Sequence, residues 1–201
     1  MTILTLDALR ARYAPAHQRS VKKELTHLDA HCLQFIALSP FLVIASAGID
    51  GAQDASPRGG PPGFVKAQGS SSLLIPDSPG NNRLDTLENI MQTGHIGLLF
   101  LVPGVDESLR VNGRATLSND EADLDQCTEP QRKPKLVIKV TVEAAYLHCA
   151  KALMRSALWD PARHIPRASL PTMGEMLKDQ LGGDLPAETQ AEMLARYAKD
   201  L

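Results

Sequence analysis

The sequence predicts a mainly β, α+β fold: a six-stranded antiparallel barrel with helices at both ends of the chain. Three observations lead there. Six short apolar runs follow one another from Phe41, "FLVIAS", "GFVKAQ", "SLLIP", "HIGLLFLV", "LRVNGRATLS" and "KLVIKVTVEAAYLH", divided by Gly, Pro, Asp and Asn clusters that mark hairpins. Only one helical pattern, at 82–93, falls among them, whereas a doubly wound sheet needs a helix between nearly every strand pair. Two runs also alternate strictly: Leu109, Val111, Ala115 and Leu117 against Arg110, Asn112, Arg114 and Thr116, and Leu136, Ile138, Val140 and Val142 against Lys139, Thr141 and Glu143.

Taken in order, residues 1–38 read as N-terminal helices. Leu6, Leu9 and Tyr13 share one helical face, and after a break at Pro15 the spacing resumes through Leu25, Leu28, Cys32, Phe35 and Ile36. Residues 39–148 form the barrel core. Within it Pro79 and Gly80 make a turn, Asn81 or Asn82 caps the inserted helix, Leu84, Leu87 and Met91 form its buried face, and Gly94 ends it. Residues 149–201 form a C-terminal helical extension of the same single domain. There Thr172 and Glu175 make a capping box, Gly182 and Gly183 supply a stop, and Pro186 suits the first turn of a last helix striped by Met193, Leu194, Tyr197 and Leu201.

Composition narrows the function. At 201 residues and 43% hydrophobic content the chain can bury a core without staples. A formal charge of −2 and a pI near 6.3 supply no basic field for nucleic acid. "MTILTLDALRARYAPAH" places charges inside what a signal core would need to keep apolar, and no stretch approaches the roughly 18 apolar residues of a membrane span. Cys32, Cys127 and Cys149 cannot all pair within one chain. A cytoplasmic protein with reduced thiols, bound to neither membrane nor nucleic acid, is expected.

The chemistry concentrates at "LLIPDSPGNNRLDTLENI". With Asn82 as cap, Arg83 sits on the first helical turn, where free N–H groups and the helix dipole favour an anion, so asparagine amide, arginine and helix start make a phosphate cradle. The alternative is an ordinary capped helix with a solvated arginine. In "DASPRGGPPGFVKAQ", Arg58 stands in a Gly/Pro-rich bend and Lys66 on the strand that follows, and both could meet a phosphate from one side. Arg110, Asn112 and Arg114 offer a third polar set, or only a solvated sheet face.

The ordered set "DASPRG", "GFVKA", "LLIPDSPGNNRLDTLENI", "HIGLLFLVPG", "LRVNGRA" and "HCAKALMRSALWDP" resembles the pyridoxamine 5′-phosphate oxidase-like, FMN-binding split-barrel proteins over about Phe35 to Asp160. The resemblance implies a six-stranded antiparallel split β-barrel, a homodimer, and FMN in grooves at the subunit interface. It implies that Asn81, Asn82 and Arg83 hold the FMN phosphate and that Ser56, Arg58, Phe64, Val65 and Lys66 border the flavin. Ile75 and Pro76 then lie on the adjacent strand, Arg110, Asn112 and Arg114 face the cofactor or its ribityl chain, and Trp159 covers it. A flavin-dependent oxidoreductase of unknown substrate follows, with the redox chemistry residing in the flavin. After Trp159 the chain runs into "DPARHIPRASLPTMGEM" in place of the arginine and histidine pattern with which pyridoxamine phosphate oxidases grip their substrate, which speaks against vitamin B6 oxidation. Members of the broad fold also bind haem or a deazaflavin, so the alternatives are a flavin or haem carrier or sensor without turnover, and a cofactor-free interaction module.

Two other constellations compete. His27 and His31 stand four apart on an expected helix beside Cys32, but "HLDAH" lacks the glutamate of a zinc-protease motif and reads as a polar face, so no metal is expected. Cys149 near Lys151 could be a reactive thiol, though a buried structural cysteine is the commoner case.

Overall fold

A computed structural model describes residues 2, 5–130, 132–182 and 186–199. The chain divides into two compact units, Met1–Ser156 and Ala157–Leu201. The first is built as α1 (Leu6–Arg10), α2 (Gln18–Lys22), α3 (Ala30–Leu38), β1 (Phe41–Ala47), β2 (Gln53–Gly59), β3 (Lys66–Gln68), β4 (Ser72–Pro76), α4 (Asp85–Thr93), β5 (His95–Leu101), β6 (Ser108–Ser118), α5 (Glu121–Gln126), β7 (Val137–His148) and α6 (Lys151–Ser156).

The mainly β, α+β class holds, with every ladder antiparallel. The expected six-stranded barrel does not: the strands form one open seven-stranded sheet in the order β2-β1-β5-β6-β7-β4-β3. The added strand is β2, whose "QDASPRG" reads as a bend because of its Asp, Pro and Gly. It lies at the end of the order and pairs with β1 alone, so Pro57, which has no N–H to donate, is tolerated opposite Val43. The opposite error occurs at "GFVKAQ". Gly63 turns the chain at φ +77° and the Phe64 N–H donates to Pro61 O, leaving only Lys66–Gln68 to pair with β4.

One face of the sheet encloses the core. Leu42 and Ile44 of β1, Leu98 and Phe100 of β5, Leu109 and Val111 of β6, Ile138 and Val140 of β7, and Leu73 and Ile75 of β4 join one buried cluster with Leu28, Cys32 and Ile36. A single cluster touched by strands from across the order requires the sheet to curl, and each buried aliphatic contributes roughly 1.5–3 kcal/mol. The alternation read along β6 is observed, with Leu109, Val111 and Ala115 buried between exposed Arg110, Asn112 and Arg114. A bulge separates Asn112 from Gly113, and Gly113 packs so closely on the Thr141 carbonyl that no Cβ fits.

The N-terminal helices are shorter than expected. Asp29 accepts from the Cys32 N–H and starts α3 at Ala30, while Leu25 pairs with Ala145 as an isolated bridge, so the helical spacing counted from Leu25 spans a non-helical stretch. His27 precedes α3 and His31 lies on it, so the two imidazoles are not one turn apart on a helix. Leu6 and Tyr13 are exposed rather than packed.

In the second unit, α7 (Met173–Leu181) starts at the expected capping box of Thr172 and Glu175. The last helix, α8 (Gln190–Tyr197), has a capping box of its own, Thr189 and Glu192, which overrides Pro186 as the start signal. Gly174 meets the Glu188 backbone with no room for a Cβ, so the approach to α8 crosses α7 at van der Waals distance. Gly183 and Leu201 lie outside the described residues. No described helix is long and apolar enough to cross a membrane.

Candidate functional site

The approach to α4 is built differently from the expected cap. Asn81 Oδ1 accepts the Arg83 N–H at 3.0 Å, an Asx-type turn, and Asn82 takes the left-handed conformation at φ +58°, which asparagine tolerates better than most residues. Because these residues complete a turn of their own, Asn82 does not cap the helix. Leu84 is the N-cap, makes no side-chain capping bond, and α4 begins at Asp85. Arg83 therefore precedes the first turn, and its guanidinium pairs with Asp85 at 3.0 Å in solvent. The buried face of α4 is Thr86, Leu87 and Ile90, whereas Leu84 and Met91 are exposed. Gly94 ends the helix at φ +66°, as expected.

β2 faces this helix start. Asp54, Ser56 and Arg58 lie opposite Ser46, Ile44 and Leu42 of β1, so they point to the core side of the sheet. Asp54 is the hub: it accepts from Ser56 Oγ at 2.8 Å and from the buried Thr86 hydroxyl at 2.5 Å, while Asn89 Nδ2 donates to Ser46 Oγ at 3.0 Å. Arg58 Nη2 lies 3.4 Å from Thr86 Oγ1. The charge of Arg58 also reaches Asp77: burial raises the Asp77 carboxyl above its ordinary value, and Arg58 and Lys135 act against that rise. Pro76, the residue before Asp77, ends β4 opposite Val137. Arg58 thus stands between Thr86 of α4 and Asp77, which follows β4.

The remaining basic set stands on the other face. Arg110, Asn112 and Arg114 are exposed opposite Leu99, Gly97 and His95 of β5. Arg114 Nη1 is 2.7 Å from His95 Nε2, and Arg110 donates to the Tyr146 hydroxyl at 3.0 Å. Beside them a shallow groove of about 290 Å³ runs over Ala45, Ala47 and Gly97, edged by Gln53, Asn112 and Glu143. The His148 ring lies 5.0 Å from the Tyr146 ring, tilted 54° to it, and its Nε2 is buried with no hydrogen-bond partner among the described residues. Burial, reinforced by Arg110 and Lys23, holds the His148 pKa below its ordinary value. Tyr146, His148, Asp54 and Thr86 were not singled out from sequence; the alternation of β7 marks the first two as sharing a face, whereas Asp54 and Thr86 meet only through the fold.

Phe64 and Val65 are buried in the core cluster, so neither side chain lines a surface of this chain. Lys66 donates to Gly63 O at 2.8 Å and its charge acts on Cys127, whose thiol burial pushes up to about 11. Lys66 and Arg58 make separate contacts, Lys66 with Gly63 and Arg58 with Thr86. Trp159 belongs to the second unit and is half-buried. Cys149, expected to be buried, is an exposed free thiol, and among the described residues no group of three or more His, Cys, Asp or Glu is placed to hold a metal ion.

The match that decides the family covers residues 28–149, more than half of the chain, and its model is that of pyridoxamine 5′-phosphate oxidase. The chain belongs to the pyridoxamine 5′-phosphate oxidase family. The family match takes in every expected site residue except Trp159, which only the motif resemblance, running to Asp160, includes, and it ends at Cys149, ahead of α6. Among solved structures, HupZ of Group A Streptococcus is similar at a TM-score of 0.50 and 16% identity, over 60% of this chain and 93% of its own. An FMN-binding protein of Syntrophomonas wolfei shares 9% identity over 72% and 97% at a TM-score of 0.46. A Clostridium acetobutylicum protein related to general stress protein 26, of the pyridoxinephosphate oxidase family, shares 13% over 57% and 83% at 0.45. No curated protein matches the chain. What this member of the pyridoxamine 5′-phosphate oxidase family offers chemically is an uncapped helix start flanked by arginines on one side of the sheet and a basic, small-residue face on the other.

Proposed function

We propose that the chain is a cytoplasmic FMN-binding flavoprotein that works as a homodimer and acts as an oxidoreductase on a small molecule other than vitamin B6. The observation that carries this reading is Arg58 reaching the first turn of α4, whose N-terminus has no side-chain cap. A guanidinium, a polar turn and a helix N-terminus without a side-chain cap suit a phosphate dianion, which competes there with Asp85 and Glu88 of the first turn. Asn81, Asn82, Arg83 and Arg58 would hold the phosphate, with Arg83 exchanging Asp85 for it. Ser56, Lys66 and Pro76 would border the ring system, and Phe64 and Val65 would contribute through their backbone because their side chains belong to the core. FMN, when bound, supplies the electron-accepting and electron-donating ring; the chain binds it, orients it and excludes water from it.

The division of the site supports a homodimer. Arg58 and Ser56 point to the core side of the sheet, and Arg110, Asn112 and Arg114 to the opposite side, so one molecule reaches both sets if the second comes from another copy.

The test is the absorbance spectrum of freshly purified protein with the released cofactor identified by mass. Oxidised-flavin bands and the mass of FMN are expected. A Soret band would replace the cofactor with haem and favour a carrier or sensor. Colourless protein that takes up no added FMN would leave an interaction module.

A further inference from the structure

Lys23, Arg110, Tyr146 and His148 come together on the sheet face opposite the core. Arg110 stands opposite Tyr146 in the β6–β7 ladder, and His148, two residues further along β7, lies on the same face opposite Ser108. Lys23 reaches them because the chain is anchored two residues later, where Leu25 bridges to Ala145; its Nζ donates to the Leu147 carbonyl and lies 5.6 Å from the centre of the Tyr146 ring. The Arg110 guanidinium lies 5.7 Å from the same ring. Two cations thus share one phenol.

Neither cation has a counterion. Among the described residues no carboxylate pairs with Lys23 or Arg110, although carboxylates do meet Arg83, Lys133, Lys139 and Arg196. Arg110 uses only Nη1, on the Tyr146 hydroxyl, so its Nε and Nη2 edge is left with two parallel N–H groups. Lys23 gives one proton to Leu147 O and keeps two, and the Tyr146 hydroxyl, having accepted from Arg110, keeps its own. His148 adds no charge: burial, with Arg110 and Lys23 beside it, lowers its pKa, and its Nε2 is buried without a partner. Two cations that both disfavour charge on one imidazole also repel each other, a cost that a bound anion removes. The cluster is rich in donors, and what it lacks is an anionic acceptor.

We propose that Lys23, Arg110 and Tyr146 form a binding site for the carboxylate of a small organic acid. A carboxylate suits the cluster because it is planar, only accepts, and takes a guanidinium edge through two parallel hydrogen bonds. The Tyr146 hydroxyl donates a third bond, and the Lys23 ammonium balances the charge. His148 lies beside the site and reports on it: an anion on Arg110 and Lys23 offsets their repulsion of the protonated ring, so binding raises the imidazole pKa. Only Arg110 is shared with the residues assigned to FMN, and the site does not depend on the flavin reading.

Benzoate, with benzamide as its uncharged counterpart, tests this on the purified full chain by proton NMR of the histidine rings, with His148→Gln identifying the resonance. Benzoate should shift the His148 signal saturably and raise its titration midpoint, while benzamide leaves both in place. No shift with benzoate, or an equal one with benzamide, would overturn the proposal. So would inorganic phosphate or chloride acting as strongly at matched ionic strength. Arg110→Gln and Lys23→Gln, both at exposed positions, should each weaken benzoate at least roughly tenfold, the effect of one lost charged hydrogen bond, with the melting temperature unchanged. Undiminished affinity in either variant would count against the site. Flavin absorbance is read in the same samples: if Lys23→Gln loses flavin and benzoate together, the patch belongs to the cofactor and the carboxylate site falls.

Discussion

The Arg58 guanidinium on the edge strand β2 meets Thr86 in the first turn of α4, Nη2 to Oγ1 at 3.4 Å, while the same hydroxyl donates to Asp54 at 2.5 Å. The contact joins a strand hidden in the sequence to α4, one of the two helices, with α5, that are inserted among the strands. Removing the cation should therefore act on the ligand more than on the fold. Arg58→Ala is expected to weaken FMN by roughly 1.5–3 kcal/mol, the range of a charge-assisted hydrogen bond, with a nearly unchanged urea midpoint; equal affinities by titration calorimetry would remove Arg58 from the site.

Asp54 has the opposite role. Its carboxylate satisfies the Ser56 and Thr86 hydroxyls, and Thr86 is only 2% exposed. Asp54→Ala leaves a buried hydroxyl without its acceptor, which should cost about 1–3 kcal/mol of stability. Denaturant unfolding of the apoprotein reads this without any cofactor.

Arg83 is held by Asp85 in solvent, a pairing a phosphate has to displace. Arg83→Ala should weaken FMN by roughly 1.5–3 kcal/mol. Asp85→Asn should tighten it, since the competing carboxylate charge is gone. A looser complex in Asp85→Asn would show that the carboxylate organises the turn instead of competing with the ligand.

Gly113 leaves no space for a Cβ beside the Thr141 carbonyl at the β6–β7 bulge. Gly113→Ala must push two hydrogen-bonded strands apart and is expected to cost about 3 kcal/mol, the upper end of overpacking. A urea midpoint equal to that of the unsubstituted protein would mean the bulge relaxes freely.

Two groups shape stability against pH in the same direction. Asp123, 5% exposed, takes hydrogen bonds from Ser118 Oγ, Lys139 Nζ and Gln68 Nε2, and these hold its pKa below the ordinary 3.8. The unfolded carboxylate protonates first as pH falls, so this stabilisation is complete above about 4 and is lost as pH drops through the folded value. His148, lowered from 6.5 chiefly by burial, is stabilising in its neutral form above the unfolded value and loses that contribution as pH falls below it. Unfolding series from pH 8 to pH 2 should show Asp123→Asn flattening the acid limb and His148→Gln flattening the step that begins near pH 6.5; parallel curves would sink both assignments.

Much of the barrel-like core was legible because a half-buried strand imposes a period of two on its own sequence. β6 and β7 are read directly from Leu109 to Leu117 and from Leu136 to Val142, and Gly94 announces the end of α4 through its need for a positive φ. β2 escaped because an edge strand may carry Pro57 and Gly59, residues that elsewhere mark turns. Met91 was misplaced on the buried face since helical spacing counts angles from an assumed start, and the start at Asp85 is set by a turn in which Asn81 and Asn82 bond locally.

By itself the sequence determined the class of the fold, its antiparallel pairing, the phosphate-friendly composition of the 76–83 segment and the family resemblance, since each depends on contacts between residues near in the chain or on motif spacing. Only the tertiary structure decided that Arg58 and Ser56 face α4 while Arg110, Asn112 and Arg114 face away, that Phe64 and Val65 serve the core, and that Asp54 joins Ser46, Ser56 and Thr86. Which side of a curled sheet a polar residue occupies depends on register and strand order, and those are settled by packing across the whole chain.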